Sequence, residues 1–183
     1  MKEFKTIAEQ VSILQSRGMH VGREASAILL RENYYSVING HKDPFLDKKA
    51  MQSSADDVYI AGSKFEWVFS LFQFDRELRR ITFSYHLFET TLRTEGDRKT
   101  TPHEILRAYD VLTHFRNLCV HDERLYCAKV GNDDYANMLK LMEVALPRDA
   151  VRSMKKDIER LLQKYNGELN VITTHDIGNC LGL

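Results

Sequence analysis

Turn-forming residues are scarce in this chain: three prolines and nine glycines among 183 residues leave little room for a loop-rich or all-β fold. Charge of one sign is also missing, since 26 Lys+Arg balance 26 Asp+Glu. Domains that adhere broadly to nucleic acid are usually strongly basic, so the balance argues against that class while leaving room for a small phosphate site. Cysteine is sparse too. Cys119, Cys127 and Cys180 are three, an odd number at wide spacing, which suits reduced thiols in a cytosolic protein better than a disulfide framework. No apolar run approaches the roughly 18 residues that span a bilayer, and the N-terminus has no signal-peptide core. Internal repeats and low-complexity segments are absent. We therefore expect a cytoplasmic protein with no membrane association.

What is present reads as one ordinary globular domain over residues 1–183, 43% hydrophobic and 28% charged. A chain of this length buries roughly 70% of its unfolded surface. Ile7, Val11, Ile13 and Leu14 form the apolar face of a first helix that stops near Gly18. A second helix is predicted from Gly22 to Glu32. The turn signals Asn39-Gly40 and Asp43-Pro44 make 33–47 an irregular loop or a short β-hairpin.

Ser63-Lys64-Phe65-Glu66 has the form of a capping box. From Phe65 the apolar positions keep helical spacing to Leu92, with no breaker until Gly96, so the longest helix, of about eight turns, is predicted there. Thr101-Pro102-His103-Glu104 is a second capping box, with Pro at the first helical position. Further helices are predicted at about 134–146 and 147–165, and Thr174-His175-Asp176 is read as the cap of a last short one. The sum is an all-α bundle around one long central helix.

The segment Phe115-Arg116-Asn117-Leu118-Cys119-Val120-His121-Asp122-Glu123-Arg124-Leu125 carries the chemistry. It pairs a cation that never loses its charge with the side-chain type that titrates near neutral pH. By itself R-x4-H is a weak pattern, for which a surface ion pair at Arg116 and a helix-end histidine are sufficient readings. On an unbroken helix five residues turn the chain by about 140°, so Arg116 and His121 would not share a face. Either the helix bends or ends near Cys119–His121, or the site is made by two copies. The spacing of His103, His114, Cys119, His121 and Cys127 matches no common zinc pair, so no metal and no other cofactor is expected.

The Arg116 segment resembles the RN-x-x-x-H-x-x-RL signature of the Abi family, the AbiD- and AbiF-type abortive-infection proteins of the HEPN superfamily. Three more segments resemble that family in the same order. They are Asn33-Tyr34-Tyr35 with Gly40 and Pro44-Phe45-Leu46-Asp47, then Leu71-Phe72-Gln73-Phe74-Asp75-Arg76-Glu77-Leu78-Arg79, then Glu89-Thr90-Thr91-Leu92-Arg93-Thr94. The chain departs from relatives in three ways: only Glu95 to Phe115 separates the Arg93-Thr94 segment from the Arg116 motif, a shorter span than in typical members; the position after the histidine, often a second His, is Asp122; and Glu123 stands where another HEPN group has Tyr.

The resemblance implies a HEPN-like helical fold and a metal-independent endoribonuclease with Arg116 and His121 as catalytic residues. Histidine is able to take the 2'-hydroxyl proton or protonate the leaving 5'-oxygen, and arginine meets the phosphorane charge. Asn117, Asp122, Arg124 and Arg93 are supporting or RNA-binding candidates. One chain supplies a single motif histidine, so a homodimer with one composite cleft is expected, as the HEPN resemblance also implies. A toxin or abortive-infection effector acting on RNA further implies an antitoxin, either a protein or a small RNA. The alternatives are a non-catalytic RNA-binding or scaffold module and, more remotely, a protein-interaction domain. Tyr34 and Tyr35 are read as loop anchors, and Arg76, Arg79 and Arg80 as a solvated helix face with helical ion pairs.

Overall fold

The computed structural model describes residues 5–54, 56–88, 101–121, 123–169 and 172–183. The chain divides into two compact units, Met1–Gln73 with Glu168–Ile172, and Phe74–Gly167 with Thr173–Leu183.

In the first unit, α1 (Ile7–Ser16) opens on Thr6. The Glu9 amide donates to the Thr6 hydroxyl and the Thr6 amide donates to the Glu9 carboxylate at 2.7 Å, a reciprocal cap for two orphan donors. Next, α2 (Ala25–Glu32) starts later than the sequence indicates. Gly22 stays in the preceding turn, its carbonyl accepting from the Ala25 amide at 3.3 Å.

No hairpin forms over 33–47. A π-helical turn, Tyr35–Asn39, is followed by a 3-10 turn, Asp43–Phe45. Val37, Ile38 and His41 are buried and recur at helical rather than alternating spacing, so local winding is what puts them inside. Asn33 takes φ 69° to redirect the chain, and its side-chain oxygen accepts from the Tyr35 amide at 2.8 Å. Tyr34 and Tyr35 meet edge to face at 6.2 Å. They separate in role: Tyr34 is half-buried, its phenol raised by desolvation, while Tyr35 is exposed. Only Tyr34 fits the anchor reading.

Helix α3 (Phe65–Phe88) begins where predicted, though not by the predicted cap. The Ser63 hydroxyl is buried without a hydrogen-bond partner among the described residues. Instead the His20 amide donates to the Ser63 carbonyl at 2.8 Å, and the Phe65 amide donates to the His20 carbonyl at 2.9 Å. The predicted continuation towards Gly96 lies outside the described residues.

The second unit takes up α3 from Phe74 and adds α4 (Pro102–Val120), β1 (Lys129–Val130), β2 (Asp133–Asp134), α5 (Tyr135–Ala145), α6 (Arg148–Lys164) and α7 (Thr174–Leu181). Helix α4 has both halves of the predicted Thr101–Glu104 box. The strands pair antiparallel across Gly131-Asn132. On α5, Tyr135 is fully buried, meets Phe115 of α4 edge to face at 6.2 Å, and shares a 2.6 Å hydrogen bond with the Thr82 hydroxyl. That bond gives an interior phenol the polar partner it requires.

Helix α6 buries Val151, Met154, Ile158 and Leu161, an i, i+3, i+7, i+10 stripe, and turns its charged residues outward. It runs antiparallel to α3: Tyr165 and Lys164 bind Glu77 at 2.8 and 2.7 Å, and the Tyr85 hydroxyl donates to Asp157 at 2.8 Å. The cap of α7 is Thr173 with Asp176, one residue before the predicted Thr174. The fold is all-α; among the described residues the β structure is the β1–β2 ladder and the isolated bridges His20–Lys64 and Leu46–Tyr59. Among the described residues no helix is long and apolar enough to cross a membrane.

Candidate functional site

Helix α4 stops at Val120, and His121 is its C-cap, with φ −89° and ψ 11° and its amide bonded to the Asn117 carbonyl at 2.9 Å. The Glu123 amide then reaches back to the Leu118 carbonyl at 3.0 Å, satisfying an acceptor that the helix end would leave open. Of the two single-chain options, the helix ends rather than bends. Arg116, Asn117 and His121 all lie exposed on this last stretch. The Arg116 guanidinium donates to Asn117 Oδ1 at 3.3 Å, and among the described residues no carboxylate pairs with it. Of the two acidic neighbours that could make a surface ion pair with Arg116, Glu123 is described and Asp122 lies outside the described residues.

The exposed face of α4 has a distinctive composition. Leu106 is 70% exposed and Val120 57% exposed, and with Thr113 and Asn117 they fall on one stripe by helical spacing. Arg116 and His121 lie on opposite flanks of that stripe, about 140° apart around the axis. The opposite face of the helix, Ala108, Val111, Leu112 and Phe115, is buried. Cys119 leans towards that side, and burial pushes its thiol up to about 12. It is therefore a packing thiol and not an activated nucleophile.

What holds the chain after His121 was not apparent from sequence. Asp75 and Arg79 of α3 are buried, their side chains 0% and 4% exposed, and meet at 2.7 Å. The Leu125 amide donates to Asp75 at 3.0 Å and the Tyr126 amide at 2.8 Å. Arg79 also donates to the Glu123 carbonyl at 3.1 Å. Reading Arg79 as part of a solvated face is thereby corrected: it is an interior cation, neutralised by its neighbour and shared with backbone. In the sequence Leu71, Asp75, Leu78, Arg79 and Thr82 follow i, i+4, i+7, i+8, i+11, a helical stripe, but only packing decides that a stripe with two charges faces inward.

Arg124 is half-buried between His121 and the Asp75-bound amides. Asp122 and Arg93 lie outside the described residues. Among the described residues no three His, Cys, Asp or Glu side chains gather as a metal site would require.

A family model described as Abi-like protein matches residues 27–104. The matched segment runs from α2 to the first turn of α4. It includes Asn33-Tyr34-Tyr35 and the Asp75–Arg79 helix, and ends before Arg116. No curated protein and no solved structure matches the chain.

Proposed function

We propose, for a chain that belongs to the Abi family, an abortive-infection effector of the cytoplasm that cleaves RNA without a metal. The observation that carries this reading is the exposure of Arg116 and His121 together at the end of α4, beside a stretch of backbone held by a buried ion pair. In the proposed reaction His121 takes the proton from a ribose 2'-hydroxyl, whose oxygen attacks the adjacent phosphorus. The P–O5' bond breaks, leaving a 2',3'-cyclic phosphate, and the 5'-oxygen takes a proton from a second, protonated imidazole. Arg116 donates to the non-bridging oxygens as charge builds on them.

The second imidazole is His121 of a second copy. The stripe of Leu106, Thr113, Asn117 and Val120 supports such a pairing, because exposed apolar residues on one helix face favour burial. A twofold pairing on that stripe would bring two copies of Arg116 and of His121 to its flanks, the composite arrangement of a HEPN-like dimer. An antitoxin, protein or small RNA, would restrain the activity in healthy cells.

The test is incubation of purified protein with RNA in EDTA, with fragment ends mapped. Cleavage leaving cyclic phosphates, lost in His121→Ala and Arg116→Ala while the helical fold persists, supports the nuclease. A non-catalytic RNA-binding module is the second reading, favoured by the family match ending before the motif. It predicts intact RNA and salt-sensitive RNA binding that survives His121→Ala.

A further inference from the structure

The chain carries no net charge, yet the first half of α6 is strongly basic. Between Arg148 and Lys156 four cations, Arg148, Arg152, Lys155 and Lys156, stand against the single carboxylate of Asp149. Arg148, Arg152 and Lys155 recur at i, i+4, i+7, which keeps them within about 60° of arc on one side of the helix. That side borders a groove of about 270 Å³ between α5 and α6, lined by Glu143, Arg148, Val151, Arg152 and Lys155. The carboxylate lining it, Glu143, reaches Lys155 at 3.7 Å. Arg148 and Arg152 are exposed, and neither pairs with a carboxylate among the described residues. Asp149 stands about 100° round the helix from Arg148. Two unpaired guanidiniums beside a lysine repel one another, and an anion seated among them relieves that repulsion. The forked donors of arginine match the oxygens of a phosphate.

The arrangement also selects the form of the anion. A single phosphate is held best by cations that converge on one point. These three are strung along about 10 Å of helix, in steps of about 6 and 4.5 Å, a line that suits the successive phosphates of an extended strand. We propose that this groove is a backbone contact for single-stranded RNA, in which Arg148, Arg152 and Lys155 meet consecutive phosphates and no base is read. The site rests on the RNA reading above, though not on catalysis: it adds strand affinity in a cleaving enzyme and in a binding module alike. Contacts to phosphate position a strand without specifying its sequence. Concentrating the cations on one helix face gives a neutral chain a local phosphate site without a basic domain.

The experiment follows the full chain by fluorescence anisotropy with a labelled 2'-O-methyl RNA strand, which lacks the attacking hydroxyl and so stays whole. Binding is measured in EDTA across a series of KCl concentrations. Each phosphate contact on a single strand contributes about 0.7 to the slope of log affinity against log salt. Arg148→Gln, Arg152→Gln and Lys155→Gln together are expected to flatten that slope by about 2 and to weaken binding about tenfold or more in low salt. Circular dichroism checks that the helices persist. A control variant, Arg23→Gln with Lys48→Gln and Lys49→Gln, removes the same charge at exposed positions of the first unit and is expected to leave the slope unchanged. An unchanged slope in the α6 variant, an equal loss in the control, or no salt-sensitive binding by the parent would each overturn the proposal. Binding of unmodified RNA without cleavage, with the slope still flattened in the α6 variant, would sink the nuclease reading alone and leave the groove standing.

Discussion

Asp75 and Arg79, one turn apart on α3, form an ion pair at 2.7 Å in the interior, and both also bind the backbone that follows His121. A carboxylate buried to this degree is tolerated because a cation and two amides surround it. Their shared role is to fix where the chain goes after α4 ends, and hence where His121 is presented.

Removing one partner leaves the other charge buried and uncompensated. Asp75→Ala and Arg79→Ala are each expected to cost about 3–5 kcal/mol of stability, read from urea midpoints. A replacement of both by apolar residues is expected to cost less than the sum of the two. Additive losses would show that the pair does not act as a unit.

The exposed α4 stripe is expected to be the face on which two copies meet. Leu106→Asp together with Val120→Asp should convert a dimer to monomer in sedimentation or light scattering, with helicity unchanged. Since both residues are exposed, the folding penalty is expected to stay within about 0.5 kcal/mol. A dimer that survives both substitutions would place the interface elsewhere.

Acid should loosen the tie between α3 and α6. Burial tends to raise the Glu77 carboxyl, but hydrogen bonds from Lys164 and Tyr165 outweigh it and hold the group below its ordinary 4.5. A carboxyl depressed on folding contributes stability above its unfolded value, and that contribution is lost as pH falls through the folded one. Stability measured against pH should therefore fall less steeply below about 4.5 in Glu77→Gln than in the parent. Parallel curves would remove Glu77 from the acid response.

Gly182 and Gly62 both hold positive φ, 73° and 81°, but only Gly182 is crowded, by Ala136; nothing lies within 4 Å of a Cβ at Gly62. Gly62→Ala is expected to cost about 1 kcal/mol from backbone strain alone. At Gly182 the steric term adds to that, for a total of roughly 2–4 kcal/mol. Equal thermal midpoints in the two variants would show that α7 yields freely.

Helix boundaries were legible wherever a local signal set them. The Thr101–Glu104 box and the stops near Gly18 and Asn166-Gly167 are where the structure has them, because capping involves side chains three residues from the groups they bind. Ser63 shows the limit: a box sequence sits at the right place, yet the bonds that start α3 come from His20. The 33–47 segment was ambiguous for a related reason, since turn residues mark a change of direction without specifying strand or helical turn. Of the candidate site, Arg116 and His121 stood out by residue type and family pattern. The structure adds that both are exposed, Arg116 in the last turns of α4 and His121 at its C-cap.

The amino-acid sequence by itself determined the helical class, most helix ends and the candidate pair of Arg116 and His121, because periodicity, caps and side-chain chemistry act over a few residues. Tertiary structure alone decided that Arg79 is an interior cation, that Asp75 binds the backbone of Leu125 and Tyr126, and that the end of α7 packs Gly182 against Ala136 of α5. Those relationships join positions tens of residues apart, and an i,i+4 pair of opposite charges reads the same on paper whether water or protein surrounds it. Burial is what separates the two cases: it is set by which helices pack together, and it makes an unpaired charge costly enough to fix the chain around it.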